Sequence, residues 1–161
     1  MSAPLPIPIG QPAPRFSFTE ANGAVRDTAE LLGRSFVVYF YPKNDTPGCT
    51  KEACEFRDNF SEFENLGVPV IGVSPDNESS DLKFRQKHCL PFGLASDEDH
   101  SIAEGFGVWG EKQFMGRRFD GVHRTTFIVD PQGRIAKVFP KVKPAGHARE
   151  ILNDLSSLLS K

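Results

Sequence analysis

Two stretches of the chain are almost without polar interruption. Residues 35–41 read SFVVYFY and residues 68–73 read VPVIGV, both rich in β-branched and aromatic side chains. A short apolar run without alternation predicts a central strand covered on both faces. Pro69 lacks an amide N–H, so it belongs at the start of the second strand. The segment between them follows a different period. Ala53, Phe56, Phe60 and Phe63 recur at helical spacing while Lys51, Glu55, Asp58 and Glu62 face away, which predicts a helix over 47–66. Gly67 is its natural stop. Strand, helix and strand in this order predict a right-handed βαβ unit.

The second half is built from shorter pieces. The pattern predicts a helix over 79–88, a short strand near Leu94 and a short helix over 101–106. RTTFIV at 124–129 reads as a strand, Asp130-Pro131-Gln132-Gly133 as a turn, and 134–139 as the returning strand of a hairpin. Ala148, Ile151, Leu152, Leu155, Leu158 and Leu159 form one apolar stripe, which predicts a last helix over 147–159. A βαβ half followed by a ββα half is the order of the thioredoxin fold. That α/β class implies a central mixed β-sheet flanked by helices on both faces. Pro4, Pro6, Pro8, Pro12 and Pro14 make residues 1–15 an extended, Pro-rich lead-in. With no repeat or linker, residues 1–161 read as a single domain.

Composition narrows the function classes. The chain has 161 residues, enough for a hydrophobic core, with 39% hydrophobic and 25% charged residues. A net charge of −2 argues against a general binder of nucleic acid or anionic membrane, leaving Arg117-Arg118 as the only hint of a basic patch. The apolar runs are far too short to span a bilayer. The prolines would break a secretory signal, so a cytoplasmic protein is expected. Three cysteines, 49, 54 and 89, are too few and too odd for a secreted disulfide scaffold. In a reducing compartment they point to redox chemistry or metal binding.

The segment from Tyr41 to Cys54 reads YPKNDTPGCTKEAC and passes from a central strand into a helix. In open α/β sheets ligands bind at such junctions. Thr46 fits the N-cap, Pro47 fits the first helical position, and Cys49 falls in the first turn. Unpaired backbone N–H groups and the helix dipole stabilise negative charge there, which favours the reactive thiolate. The Thr46 hydroxyl lies within a turn of the sulfur. It can accept a hydrogen bond from a substrate O–H while donating to the sulfur or to an oxygen. Cys49 is in line with Ala53, Phe56 and Phe60, whereas Cys54 falls on a different face. In an intact helix their Cα atoms lie about 8 to 9 Å apart. A disulfide spans less than about 7 Å, so bonding them requires the first turns of the helix to unwind. From spacing alone, two structural cysteines in one helix are an equal alternative to redox chemistry.

Pro42, Thr46 and Cys49 stand as PxxxTxxC, which resembles the active-site motif of peroxiredoxins. Cys54, five residues on, is similar to the bacterioferritin comigratory protein or PrxQ subfamily. FGLASDEDH, FGVWGEK and FMGRRFDGVHRTTFIVD match as well, so the resemblance runs from about residue 10 to residue 159. It implies a thioredoxin-like fold with a peroxiredoxin-type N-terminal extension and insertion. It implies a thiol peroxidase that reduces hydrogen peroxide and organic hydroperoxides without metal or organic cofactor. Cys49 would be the peroxidatic cysteine and become a sulfenic acid. Thr46 would align the peroxide and Pro42 would shield the sulfenate. Arg124 would hold the thiolate and neutralise charge on the leaving oxygen. Cys54 would be the resolving cysteine, and thioredoxin or a similar dithiol reductant would reopen the disulfide.

Cys89, in KHCLPF, stays open as a competing resolving cysteine, placed late for that role. No cysteine follows it, which disfavours resolution between subunits; a monomer is expected, with a weak dimer possible. His88 beside the cysteines suggests a zinc site, but the spacing is wrong for common zinc modules. His100, His123 and His147 read as surface or loop residues. Asp97, Glu98 and Asp99 read as a solvated acidic run. Two other functions compete: a thiol-based redox sensor using the same disulfide, and a protein disulfide reductase, against which the missing CxxC counts.

Overall fold

In the computed structural model, which describes residues 5–159, the chain opens with strands β1 (Ser17–Thr19) and β2 (Val25–Asp27) and a 3-10 turn (Thr28–Leu31). Strand β3 (Phe36–Phe40), helices α1 (Pro47–Asp58) and α2 (Phe60–Asn65), and strand β4 (Val70–Ser74) follow. Then come α3 (Glu78–His88), β5 (Gly93–Ser96), α4 (Ser101–Gly105), β6 (Trp109–Phe114) and β7 (Arg117–Val122). The chain finishes with β8 (Thr125–Val129), β9 (Ile135–Phe139) and α5 (His147–Leu159).

The main sheet has seven strands in the order β2-β1-β5-β4-β3-β8-β9. β3 and β4 pair in parallel, as do β4 and β5, while β8 lies antiparallel to β3 and β9 antiparallel to β8. This is the mixed sheet expected from the sequence. β3 is buried at every position because it lies inside the sheet with a core on each side. Val37, Tyr39 and Tyr41 join Phe56 of α1, Phe84 of α3 and Ile151 of α5 on one face. Phe36, Val38 and Phe40 join Phe106, Phe127 and the N-terminal Phe16 and Phe18 on the other. The alternation of the pleat thus feeds two apolar layers from one run of sequence. Gly72 of β4 makes room for Tyr39, since a Cβ there would meet the Tyr39 ring at 2.8 Å.

One difference from the sequence expectations has a physical cause, and the expected extension, insertion and lead-in take definite form. The helix over 47–66 is two helices, broken at Asn59, whose φ of −105° and ψ of 10° leave the helical region. Its side-chain amide donates to the Glu55 carbonyl at 2.8 Å, the local competition with backbone bonding that asparagine is prone to. The N-terminal extension forms the hairpin β1–β2, and the insertion between β5 and β8 carries α4 and a separate two-stranded sheet, β6–β7. The lead-in from residue 5 is anchored along β9, where Gly10 N–H donates to the Ile135 carbonyl at 2.8 Å and Ile135 N–H to Gln11 at 2.9 Å. Residues 1–4 of that lead-in lie outside the described residues.

Two surface expectations are corrected. His147 is buried at the start of α5 and shares a 2.8 Å hydrogen bond with the Thr126 hydroxyl. Asp97 is buried too, because its carboxylate accepts the Ile102 and Ala103 amides, both at 2.9 Å, at the start of α4. Among the described residues, no helix is long and apolar enough to cross a membrane.

Candidate active site

The loop from β3 into α1 carries Pro42, Asn44, Asp45 and Thr46. It is fixed from below by Asn44. The Asn44 amide donates to Asp81 at 2.7 Å and to Ser80 at 3.1 Å, and its carbonyl oxygen accepts from the Tyr41 hydroxyl at 2.7 Å. Burial raises the Asp81 carboxyl to about 7, with the Asn44 bond opposing. Thr46 has the extended backbone of an N-cap, φ −92° and ψ 155°, and Pro47 opens α1 as expected. The Thr46 side chain does not cap the helix. Its hydroxyl donates to the Lys43 carbonyl at 2.9 Å, which commits the proton and leaves the oxygen lone pairs to accept.

Cys49 sits in the first turn of α1 and is 1% exposed, packed with the core that contains Tyr39, Tyr41 and Phe56. Arg124, immediately before β8, reaches it across the sheet. Its Nη2 donates to Cys49 Sγ at 3.2 Å. Its Nη1 donates to Glu52 Oε1 at 2.6 Å. The two nitrogens of one guanidinium therefore bridge the sulfur and a carboxylate that is itself 1% exposed. Gly48 lets the arginine come close, since a Cβ there would meet Arg124 Nη2 at 3.3 Å and Pro144 at 3.5 Å.

Burial is the largest influence on both partners of this pair. It pushes the Glu52 carboxyl from 4.5 up to about 7, although Arg124 pulls the other way. Among the described residues Glu52 Oε2 has no hydrogen-bond partner, which agrees with a carboxyl that keeps its proton easily. For Arg124 burial works against the charge, but Glu52 and Cys49 outweigh it and raise the guanidinium further. Lys112 of β6 adds a second cation nearby. Burial and the Arg124 charge hold its ammonium below the ordinary value, while Cys49 opposes them.

Cys54 is half-buried on another face of α1, and its Sγ lies 4.0 Å from His88 Nδ1 at the end of α3. Cys89 is exposed and caps α3 in the left-handed region, φ 54°. All three thiols are free. Since α1 is continuous from Pro47 to Asp58, Cys49 and Cys54 keep the separation of an intact helix. The structure thus brings together Cys49 and Arg124, sets Thr46 and Pro42 on the adjoining loop, and turns Cys54 aside. Among the described residues, no three His, Cys, Asp or Glu side chains form a group that could hold a metal ion.

Glu52 and Lys112 were not singled out from sequence. A signal for Glu52 existed: it follows Cys49 by three residues, so a carboxylate shares the inward face of the helix. Lys112 had none, because it sits in a run of three polar residues, Glu111-Lys112-Gln113, with no alternation to mark a buried side.

Comparison with known proteins bears on this geometry. A sequence profile described as the AhpC/TSA family matches residues 9–138. The chain is 45% identical to Peroxiredoxin Bcp of Escherichia coli K12 over 148 residues, 92% of this chain and 95% of that protein. It is 43% identical to Peroxiredoxin Bcp of Bacillus subtilis over 96% of this chain and 99% of that protein. Among solved structures, the bacterioferritin comigratory protein of Xanthomonas campestris, described for its alkyl peroxide reduction activity, superposes with a TM-score of 0.82 at 34% identity. That match covers 88% of this chain and 90% of the other. A PrxQ cysteine mutant from Xylella fastidiosa superposes with a TM-score of 0.83 at 30% identity, over 99% and 98% of the two chains.

Proposed function

Because the chain belongs to the AhpC/TSA family as a thiol peroxidase of the Bcp and PrxQ kind, we propose that Cys49 is the sulfur that attacks the hydroperoxide. The observation that carries this assignment is the 3.2 Å bond from Arg124 Nη2 to a buried Sγ in the first turn of α1. A guanidinium and the helix N-terminus both favour the thiolate there. The thiolate pair forms an S–O bond to one peroxide oxygen as the O–O bond breaks. The other oxygen leaves with the bonding pair as hydroxide or alkoxide. Arg124 is placed to offset that charge, and a proton from solvent completes the water or alcohol. Thr46, with its own proton committed to Lys43, accepts the peroxide O–H and orients it. Pro42, on the same loop, shields the sulfenate from water. Hydrogen peroxide and organic hydroperoxides are the substrate class, and the step uses no metal or organic cofactor.

Cys54 then attacks the Cys49 sulfenic acid, forming an intramolecular disulfide as the S–O bond breaks and water leaves, after α1 opens at its Pro47-Gly48 start. Thioredoxin or a similar dithiol protein restores both thiols by exchange. Resolution within one chain needs no partner subunit, so the working unit is a monomer. The cytoplasm, where such reductants are found, is the compartment this chemistry fits. In a reductase-coupled assay, Cys49→Ser is expected to abolish peroxide consumption. Cys54→Ser is expected to consume one equivalent quickly and then stop. Sustained turnover by Cys49→Ser would remove the assignment.

A further inference from the structure

The loop that feeds α1 and the end of α3 meet around Cys54, and three side chains there stand in a row. Cys54 Sγ lies 4.0 Å from His88 Nδ1, and His88 Nε2 lies 3.2 Å from Asp45 Oδ1. From this geometry we infer that His88 is a catalytic base for the resolving step, oriented by Asp45, which takes the proton from Cys54 as it attacks the Cys49 sulfenic acid. The inference rests on the proposed role of Cys54 as resolving cysteine.

An ionised carboxylate only accepts hydrogen bonds, so Asp45 fixes the His88 proton on Nε2. Nδ1 is then left with a lone pair facing the thiol. The acceptor is itself well held. Lys87 Nζ reaches the other Asp45 oxygen at 2.7 Å, and the bonds from Lys87 and His88 keep its carboxyl below the ordinary value. Asp45 adopts φ 60°, a left-handed backbone that few non-glycine residues take, and these contacts to α3 hold it there. The imidazole is set from the other side as well: the Phe84 ring meets it edge-on at 5.2 Å, and Arg57 Nη1 donates to the His88 carbonyl at 2.8 Å. The charged and titratable groups around the pair are therefore Asp45 from the loop, Arg57 with its partner Asp58 from α1, and Lys87 and Cys89 from α3.

The step balances as follows. His88 Nδ1 removes the Cys54 proton, and the Cys54 sulfur pair forms the bond to Cys49 Sγ. The Cys49 S–O bond breaks, and its oxygen leaves as hydroxide. The hydroxide takes the proton from the imidazolium, so the products are one disulfide, one water and neutral His88. Asp45 lies before the part of α1 that must unwind, and Cys54 lies beyond it. Cys49 can therefore travel while the base stays beside its nucleophile.

The test is rapid acid quench with mass spectrometry after one equivalent of hydrogen peroxide. It reads thiol, sulfenic acid and disulfide in each sample and gives the ratio of resolution rate to oxidation rate. The thiolate and not the thiol is the nucleophile, so losing the group that takes the proton slows the attack by on the order of tenfold near neutral pH. His88→Gln is expected to lower the ratio about tenfold near pH 7. The deficit closes to within about twofold near pH 9, where hydroxide performs the deprotonation. Asp45→Asn keeps the imidazole but loses the orienting carboxylate, and is expected to fall between the two with the same convergence. An unchanged ratio in His88→Gln overturns the inference. So does a deficit of equal size at every pH, which is what lost packing alone produces. Both outcomes leave the peroxidase reading intact. Absence of a Cys49–Cys54 disulfide in the unmodified protein sinks the proposed role of Cys54 and the inference together.

Discussion

Arg124 donates from two nitrogens to two different acceptors, and replacing it with lysine separates that arrangement from mere positive charge. Arg124→Lys keeps the charge, but lysine ends in a single nitrogen. It cannot hold both Cys49 Sγ at 3.2 Å and Glu52 Oε1 at 2.6 Å. A hydrogen bond to a charged group is worth about 1.5 to 3 kcal/mol. At about 1.4 kcal/mol per factor of ten, losing the one to sulfur slows oxidation of Cys49 by about 10- to 100-fold. The assay is the second-order rate of the first oxidation, measured on fully reduced protein by competition for limiting peroxide. The main confound is stability, because removing one partner of a buried ion pair costs about 3 to 5 kcal/mol. Arg124→Met with and without Glu52→Gln addresses it. The double variant is expected to recover much of the thermal stability lost by the single one, yet remain as slow with peroxide. Arg124→Lys reacting within twofold of the unmodified protein would refute the reasoning. A double variant that regains speed along with stability would do the same.

Other consequences follow from the same residues. Thr46→Val removes the acceptor for the peroxide O–H and is expected to slow oxidation at least tenfold, while Thr46→Ser stays within a few-fold. Gly48→Ala places a methyl 3.3 Å from Arg124 Nη2, so the guanidinium must shift; the oxidation rate should fall by several-fold with little change in melting temperature. The Glu52 carboxyl holds its proton to about 7 in the folded state but loses it near 4.5 when unfolded. Between those values the folded protein binds more protons, so its stability declines as pH rises from about 4.5 to about 7. Denaturant titrations of Glu52→Gln should show a smaller decline over that window. Asp81, raised to about 7 for the same reason, keeps it from vanishing.

Much of the fold was legible because burial on two faces leaves a blunt mark. SFVVYFY and VPVIGV became β3 and β4, side by side in parallel, and the stripe from Ala148 to Leu155 became the buried face of α5. The hairpin β1–β2 left no such mark, with three residues in each strand and Val25 and Arg26 exposed. β6–β7 escaped for a related reason. Most of β7 faces solvent, and the connection runs through Met115 and Gly116, both at positive φ, without the Asn-Gly or Asp-Gly pair that would announce it. The site divides in the same way. Cys49 and Thr46 could be placed from a strand-to-helix junction, a local feature of sequence. Arg124 required the resemblance, since 75 residues separate it from Cys49 and only the antiparallel pairing of β8 with β3 brings it near. Glu52 is local, but its importance comes from burial with no partner for Oε2 among the described residues, which spacing does not reveal. His88 and Asp45 stand 43 positions apart and meet only through the packing of α3 against the loop.

The most direct measurement is to give the reduced Cys54→Ser protein one equivalent of hydrogen peroxide in the presence of a sulfenic-acid trap, then map the label by peptide mass spectrometry. The expected result is label on Cys49 alone, formed orders of magnitude faster than free cysteine reacts. Label on Cys89, or a Cys49 that stays reduced while peroxide is consumed, would contradict the account.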